Sequence, residues 1–224
     1  MATSELVNSP PSTIRTSSPS ISDFIHTPCY CEENVYMLCK RLISIGVSNK
    51  DLFVVFISND HKQVPLWHQR AGMRADGLTI WDYHVICIQR MKEDQVPFQV
   101  WDLDSTLPFP SSLAQYVSKA IRPSFQVYPE YQRFFRVVHA PIFLRNFASD
   151  RSHMKDSAGN WISQPPSYEP IVAEDGTVHN LDKYMEISSA DATSSDDLTQ
   201  RVLSESFGVV ISEEKLEDMF SRFS

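Results

Sequence analysis

Basic residues are in short supply: 20 Lys and Arg stand against 28 Asp and Glu, a formal net charge of −8. With no basic cluster and no basic-aromatic stripe, nonspecific nucleic-acid binding is excluded, and the acidic balance favours cationic ligands such as peptide N-termini. No apolar run is long enough to span a membrane, and no signal-peptide core opens the chain. The four cysteines have no regular spacing, which excludes a disulfide framework and points to a reducing compartment, the cytosol with nuclear access. Zinc-site spacing is missing too: Cys29, Cys31, His61, His68 and His84 form no paired pattern, and Cys39 and Cys87 fall on apolar faces, so no metal or cofactor is expected.

What remains is ordinary globular composition, 42% hydrophobic and 11% aromatic, enough for one sizeable core. Residues 1–27 are rich in Ser, Thr and Pro and read as a disordered arm; residues 28–224 read as a single catalytic domain.

Three residues then stand out in the order Cys31, His84, Asp102, a thiol, an imidazole and a carboxylate that suit nucleophile, base and orienter. After Cys31 the apolar residues Val35, Leu38, Cys39, Leu42 and Ile43 keep helical spacing, and Gly46 supplies a stop. Pro28 holds Thr27 extended, so Cys31 falls in the first helical turn, where unpaired N–H groups and the dipole favour an anion. Glu32 and Glu33 oppose that effect on the thiol, and the imidazole is expected to decide.

Residues 79–88 are rich in strand formers and predict one strand with Asp82 and His84 on the same face. Residues 98–101 predict a second strand ending near Asp102, antiparallel to the first, which brings Asp102 across from or diagonal to His84. Residues 52–57 and 64–69 read as a hairpin, 111–121 as a helix, 134–138 as a strand, 149–169 as a long loop with His153 exposed, and 188–197 as a linker. Ser212 is expected to cap a last helix carrying Leu216, Met219, Phe220 and Phe223.

Several longer strings run in a shared order: Cys29-Tyr30-Cys31-Glu32-Glu33-Asn34-Val35, Val55-Phe56-Ile57-Ser58-Asn59, Trp81-Asp82-Tyr83-His84-Val85, Asp102-Leu103-Asp104, Leu107-Pro108-Phe109-Pro110, and the run from Asn146 to Asp156. Together, over roughly residues 29–185, they resemble the protein N-terminal glutamine amidohydrolase family. The resemblance implies an α+β, papain- or transglutaminase-like fold, with an antiparallel sheet and the nucleophile at the start of a packed helix. It implies Cys31 as nucleophile, His84 as base and Asp102 as third member, and hydrolysis of an N-terminal Gln side chain to Glu with release of ammonia through a thioester, feeding an N-degron pathway.

A free α-ammonium must then be sensed, with Asp82 favoured for that task and Glu32, Glu33 and Asp104 as the other acidic candidates. The partners expected are proteins or peptides with a free N-terminal Gln, acted on by a monomer. Asp102-Leu103-Asp104-Ser105-Thr106 also fits the start of a Mg²⁺-dependent haloacid-dehalogenase-type phosphatase, although the alternating βα units that fold needs are missing. A third reading is a non-catalytic module that captures N-termini.

Overall fold

A computed structural model describes residues 19–92 and 96–223; residues 1–18 of the expected arm lie outside these. The fold is α+β, centred on an antiparallel sheet. Helix α1 (Cys31–Ser44) comes first, followed by β1 (Leu52–Ser58), β2 (Val64–Leu66), β3 (Thr79–Trp81), β4 (His84–Arg90) and β5 (Phe98–Trp101). Next are β6 (Ser111–Ser112), α2 (Leu113–Tyr116), β7 (Phe134–His139) and α3 (Ala140–Asn146). The chain closes with α4 (Leu181–Met185), α5 (Leu198–Val202), β8 (Val209–Ser212) and α6 (Leu216–Ser221). Six strands form the main sheet in the order β6-β5-β4-β1-β7-β8, and each neighbouring pair is antiparallel.

β1 sits mid-sheet and reads Leu-Phe-Val-Val-Phe-Ile-Ser because both its faces are covered; all seven residues are buried. One face packs Val54, Phe56, Val85 and Cys87 against α1, α3 and α4. The other packs Phe53, Val55, Ile86 and Ile88 against α2, α5 and α6. α1 buries the stripe its spacing predicts, Val35, Leu38, Cys39 and Leu42.

Several expectations give way. The strand expected over 79–88 is two strands: β3 pairs with β2 in a separate two-stranded sheet, and β4 begins at His84 in the main sheet. Asp82 and Tyr83 form the break, so alternation does not carry across it. The hairpin expected between 52–57 and 64–69 fails for the same reason, since β1 takes β4 and β7 as partners. Periodicity marks strands but not partners when the pairing is nonlocal.

The helix over 111–121 starts as β6; α2 follows, capped by Ser112 accepting from the Gln115 N–H, and then a π-helical stretch over Val117–Ile121. The last part of the expected arm is ordered: Phe24 is buried and packs edge-on against Phe109, and His26 reaches Asp104. Ser212 ends β8, a strand not predicted, and a short 3₁₀ turn over Glu213–Lys215 precedes α6. The stretch 188–197 includes a 3₁₀ turn, Ser189–Asp191.

Candidate active site

α1 opens where the chain turns sharply. Cys29 lies in the left-handed region at φ 68, and Asn34 ties the turn to the helix: its Oδ1 accepts the Thr27 N–H and its Nδ2 donates to the Thr27 carbonyl, both at 2.8 Å. The turn fixes where Cys31 sits, at the first helical position, buried and 8% exposed. On the sheet side the Val85 N–H points at the Cys31 sulfur, next in sequence to His84.

His84 is fully buried at the start of β4. Its Nε2 contacts Asp102 Oδ1 at 3.0 Å, and its Nδ1 has no hydrogen-bond partner among the described residues. β4 and β5 pair with Cys87 opposite Trp101, so Asp102, one residue past β5, falls diagonal to His84. Trp81 stacks on the imidazole at 5.1 Å. Asp102 is held by donors on both oxygens: Oδ1 also accepts the Asp104 N–H at 3.0 Å, and Oδ2 accepts Tyr116 Oη–H at 2.8 Å and Gln69 Nε2–H at 3.4 Å. Burial opposes charge on Asp102, but His84 and these donors hold its carboxyl below the usual range. Burial likewise opposes an imidazolium, and Asp102 raises His84 above its ordinary value.

The thiol is in the opposite situation. Burial pushes Cys31 well up, and Glu32, Asp104 and Asp82 push it further. Without substrate, Cys31 is therefore a thiol, and it donates to Glu32 Oε2 at 3.7 Å.

Glu32 and Glu33, two of the acidic candidates for the substrate ammonium, are both fully buried. Glu33 is clamped by Arg151, whose Nε and Nη2 donate to its two oxygens at 2.9 Å each. Arg151 itself lies in the left-handed region at φ 63. Such bidentate pairing is what makes a buried carboxylate tolerable. Glu33 is thus a structural anchor for the start of α1 and has no open face for substrate. Glu32 accepts Tyr83 Oη–H at 2.8 Å, and its Oε1 lies 3.6 Å from His153 Nε2. His153, expected to be exposed, is only partly so and faces inward from the 149–169 loop. Tyr83, Tyr116, Gln69, Arg151 and Asn34 escaped sequence reasoning, because each acts through distant partners that periodicity does not reveal.

Cys31, Trp81, Asp82, Asp104 and His153 line one cleft of about 570 Å³. Asp82 is exposed there, while Asp104 is partly occupied by His26 Nε2 at 2.8 Å. A larger cavity, about 760 Å³, lies at the far end of α1, and neither Cys nor His lines it. Donor atoms of His84, Asp102 and Asp104 lie within 4.8 Å of one another. Both Asp102 oxygens already accept protons, which makes the cluster an orienting network more than a cation cage. An antiparallel main sheet also overturns the haloacid-dehalogenase-type reading, which needs parallel βα units.

The model of the family described as N-terminal glutamine amidase matches residues 26–220. The chain belongs to that family. It is 59% identical to the protein N-terminal glutamine amidohydrolase of Arabidopsis thaliana over 215 residues, 92% of this chain and 97% of that protein. Over 205 residues it is 58% identical to the protein of the same name from Oryza sativa subsp. indica, covering 90% of this chain and 89% of that one. Against the Drosophila melanogaster protein of that name it is 41% identical over 172 residues, 76% of this chain and 82% of the other. As a family member the chain has its buried thiol, imidazole and carboxylate inside the matched region.

Proposed function

We propose that this chain hydrolyses the side-chain amide of an N-terminal Gln on proteins and peptides, giving N-terminal Glu and ammonia. The observation that carries the reading is the buried imidazole clamped to Asp102 through Nε2, its Nδ1 unpartnered among the described residues, together with a helix-start thiol against Val85, the residue next to His84.

His84 Nδ1 takes the Cys31 proton, and the sulfur attacks the carboxamide carbon, opening its C=O to an oxyanion. First-turn N–H groups of α1, which lack helical acceptors, stabilise that charge, the Cys31 N–H first among them. As the oxyanion collapses the C–N bond breaks, and imidazolium Nδ1 gives its proton to the leaving nitrogen, so ammonia departs and a thioester remains. Water then attacks the thioester carbon while His84 Nδ1 accepts its proton. The C–S bond breaks, the sulfur recovers that proton, and Glu is released. Asp102 holds the tautomer and the charged ring throughout. Exposed Asp82 at the cleft supplies the partner for the substrate α-ammonium.

The papain- or transglutaminase-like assignment belongs to the same proposal and draws support from a thiol at the start of a packed helix and an imidazole at the start of a sheet strand. So do one catalytic unit over residues 28–224, a monomer, a cytosolic location with nuclear access, and a place in an N-degron pathway, where the new terminal Glu marks a protein for degradation.

The test measures ammonia release from a Gln-first peptide and its internal-Gln, Asn-first and N-acetylated forms, with chelator present and Cys31→Ala as control. Chelator-resistant release from the free Gln-first peptide, lost in the variant, supports the reading. Peptide binding without release would replace it with a capture module, and equal release from the acetylated peptide would remove the ammonium contact.

A further inference from the structure

Glu32 has no task in the mechanism above, yet it is the charged group in direct contact with the nucleophile. Its carboxylate is fully buried, accepts from Tyr83 Oη at 2.8 Å and from Cys31 Sγ at 3.7 Å, and leaves Oε1 with no hydrogen bond among the described residues. Asp82 and Asp104 line the cleft that the sulfur faces.

Compensating positive charge near the sulfur is scarce or committed elsewhere. Arg151 is bound to Glu33, and His26 to Asp104. His153, whose Nε2 lies 3.6 Å from Glu32 Oε1, is pushed below its ordinary value by burial, which disfavours its charged form. Lys62 lines the cleft. The imidazole of His84 is tied to Asp102 through Nε2.

We infer that Glu32 is a specificity-determining positioning residue: it holds the Cys31 thiol through a hydrogen bond until the α-ammonium of a substrate enters the cleft and offsets the local negative charge. The inference rests on the proposed deamidation. An ammonium seated at Asp82 would then do two things at once, anchoring the chain end and releasing the sulfur proton to His84 Nδ1. A terminal amide without that cation would meet a nucleophile still protonated, so discrimination would fall on kcat more than on KM. Burial raises Glu32 to about 7, so near neutrality the carboxylate is only partly ionised, and its restraint on the sulfur strengthens as pH rises.

Two measurements on the full chain test this. In the first, iodoacetamide alkylation at Cys31, mapped by mass spectrometry to separate it from exposed Cys29, is followed against pH for wild type and Glu32→Gln. The midpoint is expected to fall by about one unit in the variant, roughly tenfold faster labelling at neutral pH. In the second, release from a Gln-first peptide is compared with release from its des-amino analogue, which has hydrogen in place of the ammonium. The wild-type preference should shrink about tenfold in Glu32→Gln, chiefly through faster turnover of the analogue. Should Glu32→Gln fail to fold, Tyr83→Phe removes the phenol that stabilises the carboxylate's charge and should shift the alkylation midpoint in the same direction by less. An unchanged midpoint, or a preference that survives intact, overturns the inference. Absence of ammonia release by wild type would instead defeat the deamidase reading and leave the alkylation result standing.

Discussion

On one side of the central sheet α5 and α6 close over Phe53, Ile88, Val209 and Ile211 with Leu198, Val202, Leu216, Met219 and Phe220. On the other side, α1 carries Glu32 and Glu33 to the same depth as Leu38 and Leu42. The first layer gains stability by removing apolar surface from water, roughly 25 cal/mol per Å². The second gives up part of that gain to bury carboxylates, pairing Glu33 with Arg151 and one oxygen of Glu32 with Tyr83. The proposed triad draws on both. Cys31 belongs to the α1 side, whereas by alternation His84 follows Ile86 and Ile88, and Tyr116 of α2 reaches Asp102 from that same side. The proposed reaction centre therefore lies at the end of the sheet, where the two layers meet.

That contrast breaks most sharply by removing the sulfur. Cys31→Ala should lower ammonia release by at least about 10³-fold while leaving the thermal midpoint within a few degrees of wild type. On the apolar side the expectation reverses. Phe220→Ala empties a site between Phe53, Phe98 and Phe223 and should cost about 3–5 kcal/mol in urea unfolding, with kcat retained by the folded fraction. A Phe220→Ala protein that kept its stability but lost kcat would show that the two layers do not divide the work in this way.

The apolar layer was the legible part. The stripe on α1 and the continuous run of β1 appear in sequence because burial leaves a periodic signature; Cys31 and Asp102 stood out at a helix start and a strand end, and His84 as an imidazole within a run of strand formers. The supporting polar layer was not legible. Arg151 meets Glu33 across 118 residues and Tyr83 meets Glu32 across 51, and no local spacing encodes such meetings. The break at Asp82 and Tyr83 was missed for a related reason: composition says strand on both sides of it, and only the separate pairing of β2 with β3 shows where the chain changes sheet.

Glu32 also sharpens the comparison through pH. Burial raises its folded pKa to about 7 from an ordinary 4.5, so the folded state holds a proton that the unfolded chain has released. Its contribution is fully present below 4.5 and is lost as pH rises toward 7, on the order of 3 kcal/mol at most. Chemical denaturation of Glu32→Gln between these pH values should show a flatter stability profile than wild type. Parallel profiles would place the ionisation elsewhere.

The smallest effect expected is at the seam between layers. Tyr116→Phe keeps the ring in the α2 packing and removes only the hydroxyl that donates to Asp102 Oδ2 at 2.8 Å, leaving Gln69 Nε2 at 3.4 Å on that oxygen. A hydrogen bond to a charged group contributes about 1.5–3 kcal/mol, and the remaining donor retains part of it, so kcat should fall about tenfold with KM unchanged. Without this hydroxyl the Asp102 carboxylate should be more basic and favour the imidazolium of His84, which Asp102 already raises. The acid limb of the kcat profile, set by that imidazole, should therefore move upward. A loss confined to unfolding free energy, with kcat and its pH limb untouched, would mean that the α2 side only supports the carboxylate's position and does not tune its charge.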